Sequence, residues 1–242
     1  MFETPQYVTG PFQPQRVFLP DREYGLALDA LVKACSDVLI LSHDQKRVLL
    51  GRRKVQPQPD WWYIGGRAKP GDTTTAAAAR NVKREIGLDL PETRFEVVAN
   101  YSMVWSYRVQ PPTTNGTADL STIHAIFLTE EEEAQDYTMD PIEYSESKWW
   151  IIDEVICNKN DRFHPLLVNS LKKVKTKRAL LSLKNAITSE SSDEIVSKVS
   201  REFVKLLQAA EVMESSTKVN FDTTALKYVP QVTQENDDQT EN

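Results

Sequence analysis

The stretch from Gly65 to Leu88, GGRAKPGDTTTAAAARNVKREIGL, holds the residue types best suited to chemistry. A glycine pair leads through a short loop with Asp72 into an alanine-rich run, Thr73 to Glu85, closed by Gly87. Alanine favours helix, Asp72 or one of the threonines can cap its start, and Gly87 can end it. Residues three and four apart on a helix share a face. Asn81, Arg84 and Glu85 therefore gather at the helix end, a carboxylate beside an amide and a guanidinium. Those are groups that handle phosphate anions and their counter-ions.

The frame is more specific than its parts. Gly66, five residues, Asp72, seven residues, then Arg80 to Leu88 resembles the Nudix box, G-x5-E-x7-R-E-U-x-E-E-x-G-U, where U is bulky and apolar. The glycine pair, Arg80, Glu85, Gly87 and Leu88 all fall in register. Nudix enzymes hold divalent metal on helix carboxylates, and Asn81 and Arg84 stand where two of those glutamates would be. The resemblance implies one weakly held Mg²⁺, with Mn²⁺ as an alternative. Its ligands would be Glu85, a backbone carbonyl of the turn at Gly66, waters and substrate phosphate. Arg84 beside it should oppose a second metal.

The flanking elements fit a scaffold for such a helix. Residues 1–20, with Pro5, Gly10, Pro11, Pro14 and Pro20, read as an extended arm. Asp21 to Leu31 reads as a short helix capped by Asp21. Ala34 to Leu41 and Arg47 to Gly51 form a hairpin about the turn at 43–46, and Arg52 to Asp60 is a polar loop. Trp61 to Ile64 is a strand ending on the glycines. Phe95 to Val109 and Leu120 to Leu128 are strands separated by a loop with two prolines and Asn115-Gly116. Glu130 to Asp136 is an acidic turn, and Ser147 to Ile152 is the last strand, before a helix near 153–157. This order predicts a mixed α/β (α+β) domain over 21–164, the helix–sheet–helix sandwich that the Nudix resemblance implies. Leu166 to Ile187 and Asp193 to Met213 carry apolar residues at helical spacing, so 165–214 reads as a helical extension. Residues 215–242, ending QENDDQTEN, read as a disordered tail.

The departures from the box also have a counterpart. From about Phe18 to Ile156 the chain is similar to the GDP-mannose mannosyl hydrolases, Nudix proteins that lack the same two glutamates. FLPDREYGLALDALV, Ser36-Asp37, LLGRR at 49–53, Trp61, Gly-Gly-Arg ending at Arg67 and LDLP at 88–91 carry that resemblance. It implies cleavage between the sugar's anomeric carbon and the diphosphate of a nucleotide sugar. Such a reaction mainly needs the leaving anion stabilised, whereas attack at phosphorus gains most from several metals. By the same resemblance Arg52, Arg67 and Arg80 contact the leaving group, His124 faces the site, and Asp37 and Trp61 contact the substrate. Against these stand blander roles: a solvated Arg52, an ion-paired Arg80, and core roles for Asp37, His124 and Trp61. The family's catalytic base is a loop histidine, and its position here holds Tyr144. A tyrosine is a poor base at neutral pH, so Glu143 or Glu146 of the same loop is the alternative.

Composition narrows the remaining choices. A net charge of -6 argues against general nucleic-acid binding, despite the basic run Lys172 to Arg178. Only Cys35 and Cys157 are present, without metal spacing, which suits reduced thiols in the cytoplasm. MFETPQYVTGPFQPQ has no apolar signal core, and no apolar run approaches the ~20 residues a membrane helix needs. The expected partner is a small nucleotide sugar, and the apolar stripe of the C-terminal helices offers a surface for self-association. Two other readings stay open: an ordinary Nudix pyrophosphohydrolase using acids such as Asp72, Glu143 and Glu146, and a nucleotide-binding module without turnover.

Overall fold

The structure, a computed structural model, describes residues 4–15, 17–189, 191–211 and 218–231. Helix α1 (Asp21–Ala30) leads into β1 (Lys33–Leu41), which turns into β2 (Arg47–Arg53). Two short strands follow, β3 (Trp61–Trp62) and β4 (Ile64–Arg67), and then helix α2 (Thr74–Ile86). Strands β5 (Glu96–Trp105) and β6 (Thr117–Phe127) form a long antiparallel pair. A four-residue helix α3 (Glu130–Glu133), β7 (Tyr144–Ile151) and α4 (Ile152–Cys157) complete the domain. Helices α5 (Pro165–Thr188) and α6 (Asp193–Glu211) and a hairpin, β8 (Val219–Asp222) with β9 (Lys227–Pro230), follow.

The sheet is mixed. One edge of β1 pairs in parallel with β6 along its whole length. The other edge is shared: Cys35 to Val38 pair with β4, and Ile40 and Leu41 pair with β2. Strand β2 then leaves β1 and runs beside β7 and β3. The sheet therefore splits between β2 and β4, and the split opens next to the glycine pair.

Alternation along β1 assigns the two faces. Val38 and Ile40 pack with Ile64, Val82, Ile86 and Ile126 under α2. Leu39 and Leu41 pack with Leu50, Tyr63, Ile123 and Leu167 under α4 and α5. The result is the expected α/β sandwich of helix, sheet and helix. Its lower layer comes partly from α5, whose Leu167, Val168, Leu171 and Val174 are buried in that core. The first half of the expected extension is thus part of the domain itself.

Several boundaries differ from expectation. Pro20, not Asp21, precedes the first helix as its cap residue, and Asp21 is its first turn. The acidic stretch at 130–133 is a helix because Thr129 and Glu132 form a capping box. The last strand starts at Tyr144 rather than Ser147, so Tyr144 and Glu146 belong to a strand and not to a loop. Of the tail expected to be disordered, 218–231 is ordered. Tyr228 there is buried, its hydroxyl shared between Gln58 and Asp60. Its ring also meets His164 at 5.0 Å and Phe221 at 4.9 Å, and these contacts with the polar tip pin the hairpin. Residues 215–217 and 232–242 lie outside the described residues. The arm over 4–15 is without helix or strand and touches the start of α2: Thr4 Oγ1 is 2.6 Å from Thr74 Oγ1, and Gln6 donates to Gly71 O at 3.2 Å. Among the described residues no helix is long and apolar enough to cross a membrane.

Candidate active site

Helix α2 is held at both ends by its own sequence. The Thr73 side chain accepts from Ala76 N at 2.9 Å. Gly87 takes the left-handed conformation (φ 79°) and donates to Lys83 O at 3.1 Å. Burial of Ala78, Val82 and Ile86 against the sheet fixes the helix's rotation. That rotation points Asn81 and Glu85, one turn apart, at the Gly65–Gly66 strand.

The two glycines serve different neighbours. A Cβ on Gly65 would come within 2.6 Å of Asp37 Cα, so β4 can lie against Asp37 only without a side chain. A Cβ on Gly66 (φ 157°) would point the other way, 3.1 Å from Arg84 Nη2 and 3.7 Å from Asn81 Nδ2. Asp37 and the helix end thus flank opposite faces of one short strand.

At the helix end nearly all the polar groups are paired. Asn81 is fully buried and donates to Gly66 O at 2.9 Å and Ser36 O at 3.3 Å. Its Oδ1 accepts from Arg80 Nη1 at 3.0 Å and Arg84 Nη1 at 3.1 Å. Glu85 is 4% exposed, and its Oε1 accepts from Arg84 Nε at 2.8 Å and also from Arg84 Nη2. Arg84 Nη2 reaches Gly65 O at 3.4 Å. The outer oxygen, Glu85 Oε2, is buried without a hydrogen-bond partner. Burial raises the Glu85 pKa, and the Arg84 guanidinium works against that rise.

Across the strand, Asp37 Oδ2 accepts from Ser121 Oγ at 2.6 Å. Burial pushes its pKa up to about 6, with Ser121 and then the Arg53 charge opposing. Arg53 projects into the split. Its Nε is buried without a partner and its Nη2 lies 3.9 Å from Glu143 Oε2. Tyr144 packs its ring on Gly51, where a Cβ would be 2.6 Å from the ring carbons. Burial, and then the Glu85 charge, drive its pKa well above the ordinary tyrosine range. Glu143 is half-exposed at the mouth of the split.

Of the expected site residues, Glu85, Gly66, Asp37, Tyr144 and Glu143 surround this split. The three expected arginines do not converge. Arg52 lies on the strand edge, paired with Glu146 at 3.1 Å. Arg67 stacks its guanidinium 4.9 Å from the Tyr24 ring. Arg80 is occupied by Asp72 at 2.7 Å and by Arg67 O at 3.2 Å. Asp72 in turn accepts from Lys69 N at 2.9 Å, so it is a loop brace. His124 is fully buried under the other end of α2, its Nε2 3.3 Å from Thr74 Oγ1. Thr74 and Glu85 are eleven residues apart, about 16 Å of helix. Burial lowers the His124 pKa to about 4. Trp61 is a core residue, edge-on to Trp150 at 5.2 Å, with no free face for a base.

Arg53 is the residue that the sequence reading passed over. A bulge between Arg52 and Arg53 breaks the register with β7 and turns Arg53 towards the split. The adjacent LLG and the following lysine give no sign of that turn.

The family-level comparison agrees with this architecture. The model of the NUDIX domain matches residues 34–171, more than half of the chain, and the chain belongs to that family. Similar solved structures include a MutT NUDIX hydrolase from Burkholderia pseudomallei, with 17% identity over 51% of this chain and 85% of that one, TM-score 0.42. The dihydroneopterin triphosphate pyrophosphohydrolase of E. coli shares 21% identity over 52% of this chain and 87% of its own, TM-score 0.40. The Ap4A hydrolase of C. elegans shares 14% over 60% and 96%, TM-score 0.39.

Nudix hydrolases generally use divalent metal ions. The side chains present here do not fit one. Among the described residues no three His, Cys, Asp or Glu side chains gather to hold a cation. Glu85 is the lone carboxylate at the helix end and already carries a cation. The Gly66 carbonyl, its expected co-ligand, is taken by the Asn81 amide.

Proposed function

We propose that the protein hydrolyses a nucleoside-diphosphate sugar, of the GDP-mannose kind, at the sugar's anomeric carbon. The observation that carries this reading is the charge balance at the helix end, with one carboxylate and one guanidinium where a pyrophosphohydrolase gathers glutamates. Attack at phosphorus by an anionic nucleophile is poorly served by such a set. Departure of a nucleoside diphosphate from carbon asks chiefly for cations that receive its charge. Arg84 and Arg53 stand on either side of the split and supply them.

In this scheme water attacks the anomeric carbon as the bond from carbon to the diphosphate oxygen breaks. The bonding electron pair leaves with the diphosphate, and the proton of the water passes to Glu143, the half-exposed carboxylate at the mouth. Tyr144, buried and strongly held in its neutral form, positions the floor of the split and takes no proton. The free thiols of Cys35 and Cys157 accord with work in a reducing compartment such as the cytoplasm.

The occupied partners of Arg52, Arg67 and Arg80 favour a second reading, a module that binds the nucleotide without turning it over. Phosphorus NMR of a nucleotide-sugar panel separates the possibilities. Nucleoside diphosphate with free sugar supports the proposal, and nucleoside monophosphate with sugar phosphate contradicts it. Saturable binding in calorimetry with unchanged substrate would favour the second reading.

The basic run on α5 serves the fold. Lys175 pairs with Asp153 at 2.8 Å, Lys177 pairs with Glu96 at 3.0 Å, and Arg178 lies over the Phe127 ring at 4.6 Å. This favours a structural role over a nucleic-acid surface. The apolar stripe of α6 that would offer a surface for self-association, Val199, Phe203, Leu206 and Leu207, is only partly exposed.

A further inference from the structure

The Arg84 guanidinium makes the contacts that a cation bound at this helix end would make. It touches the single carboxylate through two nitrogens, both on Oε1, the Asn81 amide oxygen at 3.1 Å and the Gly65 carbonyl at 3.4 Å. Those are the oxygen atoms that the helix end and the turn turn towards one another. Each sits on a rigid element, β4 or the last turns of α2. The side chain is still half-exposed (52%), so one flank of the guanidinium faces outward from the cage.

We propose that Arg84 is a built-in cation that replaces the divalent metal at this site, so that the protein neither needs nor retains Mg²⁺ or Mn²⁺ there. The physical case rests on three points. A guanidinium carries one permanent positive charge and several donors in a plane, which suits a carboxylate and two neutral oxygens. Mg²⁺ takes one or two carboxylates in near-octahedral array with waters and substrate phosphate, and here the one carboxylate and both neutral oxygens already meet Arg84. To enter, the metal would have to break the Arg84 contacts to Glu85 and then share the site with a guanidinium charge that opposes it. Asn81 follows the same logic. An amide oxygen accepts from Arg84 without adding a second negative charge that would need a second cation.

The test uses the full chain and Mn²⁺ alone as probe, so that its outcome does not depend on identifying the substrate. Mn²⁺ binding is followed by electron paramagnetic resonance for the wild type, Arg84→Glu and Arg84→Gln. The wild type should show no site at millimolar Mn²⁺. Arg84→Glu, which sets two carboxylates side by side, should gain one with at least tenfold tighter binding. Melting supplies a second readout. Arg84→Gln leaves Glu85 buried without its cation and should melt lower than the wild type. Added Mn²⁺ should raise the melting temperature of that variant and leave the wild type unmoved. Stoichiometric Mn²⁺ binding by the wild type that disappears in Glu85→Gln would overturn the proposal. That result would not touch the choice of scissile bond, which the product spectrum tests separately. Should both variants fail to fold, the wild-type titration alone still decides.

Discussion

Asp37 and Glu85 lie on opposite faces of β4, each almost wholly buried, and they are compensated by different means. Glu85 is met by a full positive charge from its sequence neighbour Arg84. Asp37 is met by a neutral hydroxyl, Ser121 from β6, with Arg53 acting at longer range. A guanidinium cancels charge and works against the rise in pKa that burial imposes. A hydroxyl gives one hydrogen bond and leaves most of the burial penalty in place. The difference shows how one fold keeps one acid ready to hold a cation and another ready to hold a proton.

The strand between them should be the most sensitive point. Gly65→Ala pushes a methyl group against the Asp37 backbone, while at Gly66 the nearest atom is the end of the Arg84 side chain. Backbone cannot yield as a side chain end can. Gly65→Ala should cost about 3 kcal/mol or more in urea unfolding. Gly66→Ala should cost less, its strain confined to its positive φ. Equal costs at the two positions would mean that β4 does not lie against Asp37 as described.

The next effect is a pH dependence. A carboxylate whose folded pKa is raised holds its proton in the native state after the unfolded chain has lost it. Stability then falls as pH rises from about 4 to about 6, and Asp37 loses roughly 3 kcal/mol across that window. Asp37→Asn removes the loss, so its stability relative to wild type should be greater at pH 7 than at pH 4. Buried His124 and His164 work in the other sense. Their pKa values are lowered to about 4, so they destabilise the fold as pH falls below the ordinary histidine value. The histidines thus add a rise in stability with pH that the buried carboxylates oppose, and Asp37→Asn should make the net slope more positive. An unchanged slope would show that Asp37 is already charged at pH 4.

The smallest effect is expected on the strand edge. Arg52 and Glu146 form an ion pair with both side chains about half-exposed. Arg52→Ala should change stability by less than about 1 kcal/mol. If it abolished nucleotide binding as well, Arg52 would return to the site in place of Arg53.

What the sequence made legible follows from how local each cause is. The box helix is written in neighbouring residues, Thr73 at its start, alanines within and Gly87 at its end, and it formed as read. Glu85 facing the glycine turn follows from helical spacing alone. The split of β1 between β4 and β2 was not legible, because partner choice along a strand edge depends on the whole sheet. Arg53 is turned inward by a bulge that leaves no local mark. Arg84 read as an obstacle to a second metal, and its grip on the first site appears only when Gly65 O and Asn81 Oδ1 are seen beside it. Tyr144 reads as a loop residue because the resemblance sets a loop just before the last strand, and polar Ser145 and Glu146 give no sign that the strand begins earlier. Pairing with β2 overrides that polarity. Tyr228 shows the same limit at long range, where its contacts with His164, Gln58 and Asp60 order a segment whose composition suggests none.

The replacement of a metal by Arg84 is tested most directly by a crystal of the wild-type protein soaked in Mn²⁺ and measured for anomalous scattering. The account predicts no anomalous peak between Glu85 and the Gly65 carbonyl, with the Arg84 guanidinium in hydrogen-bond contact with both. A Mn²⁺ peak ligated by Glu85, with Arg84 swung out into solvent, would contradict it.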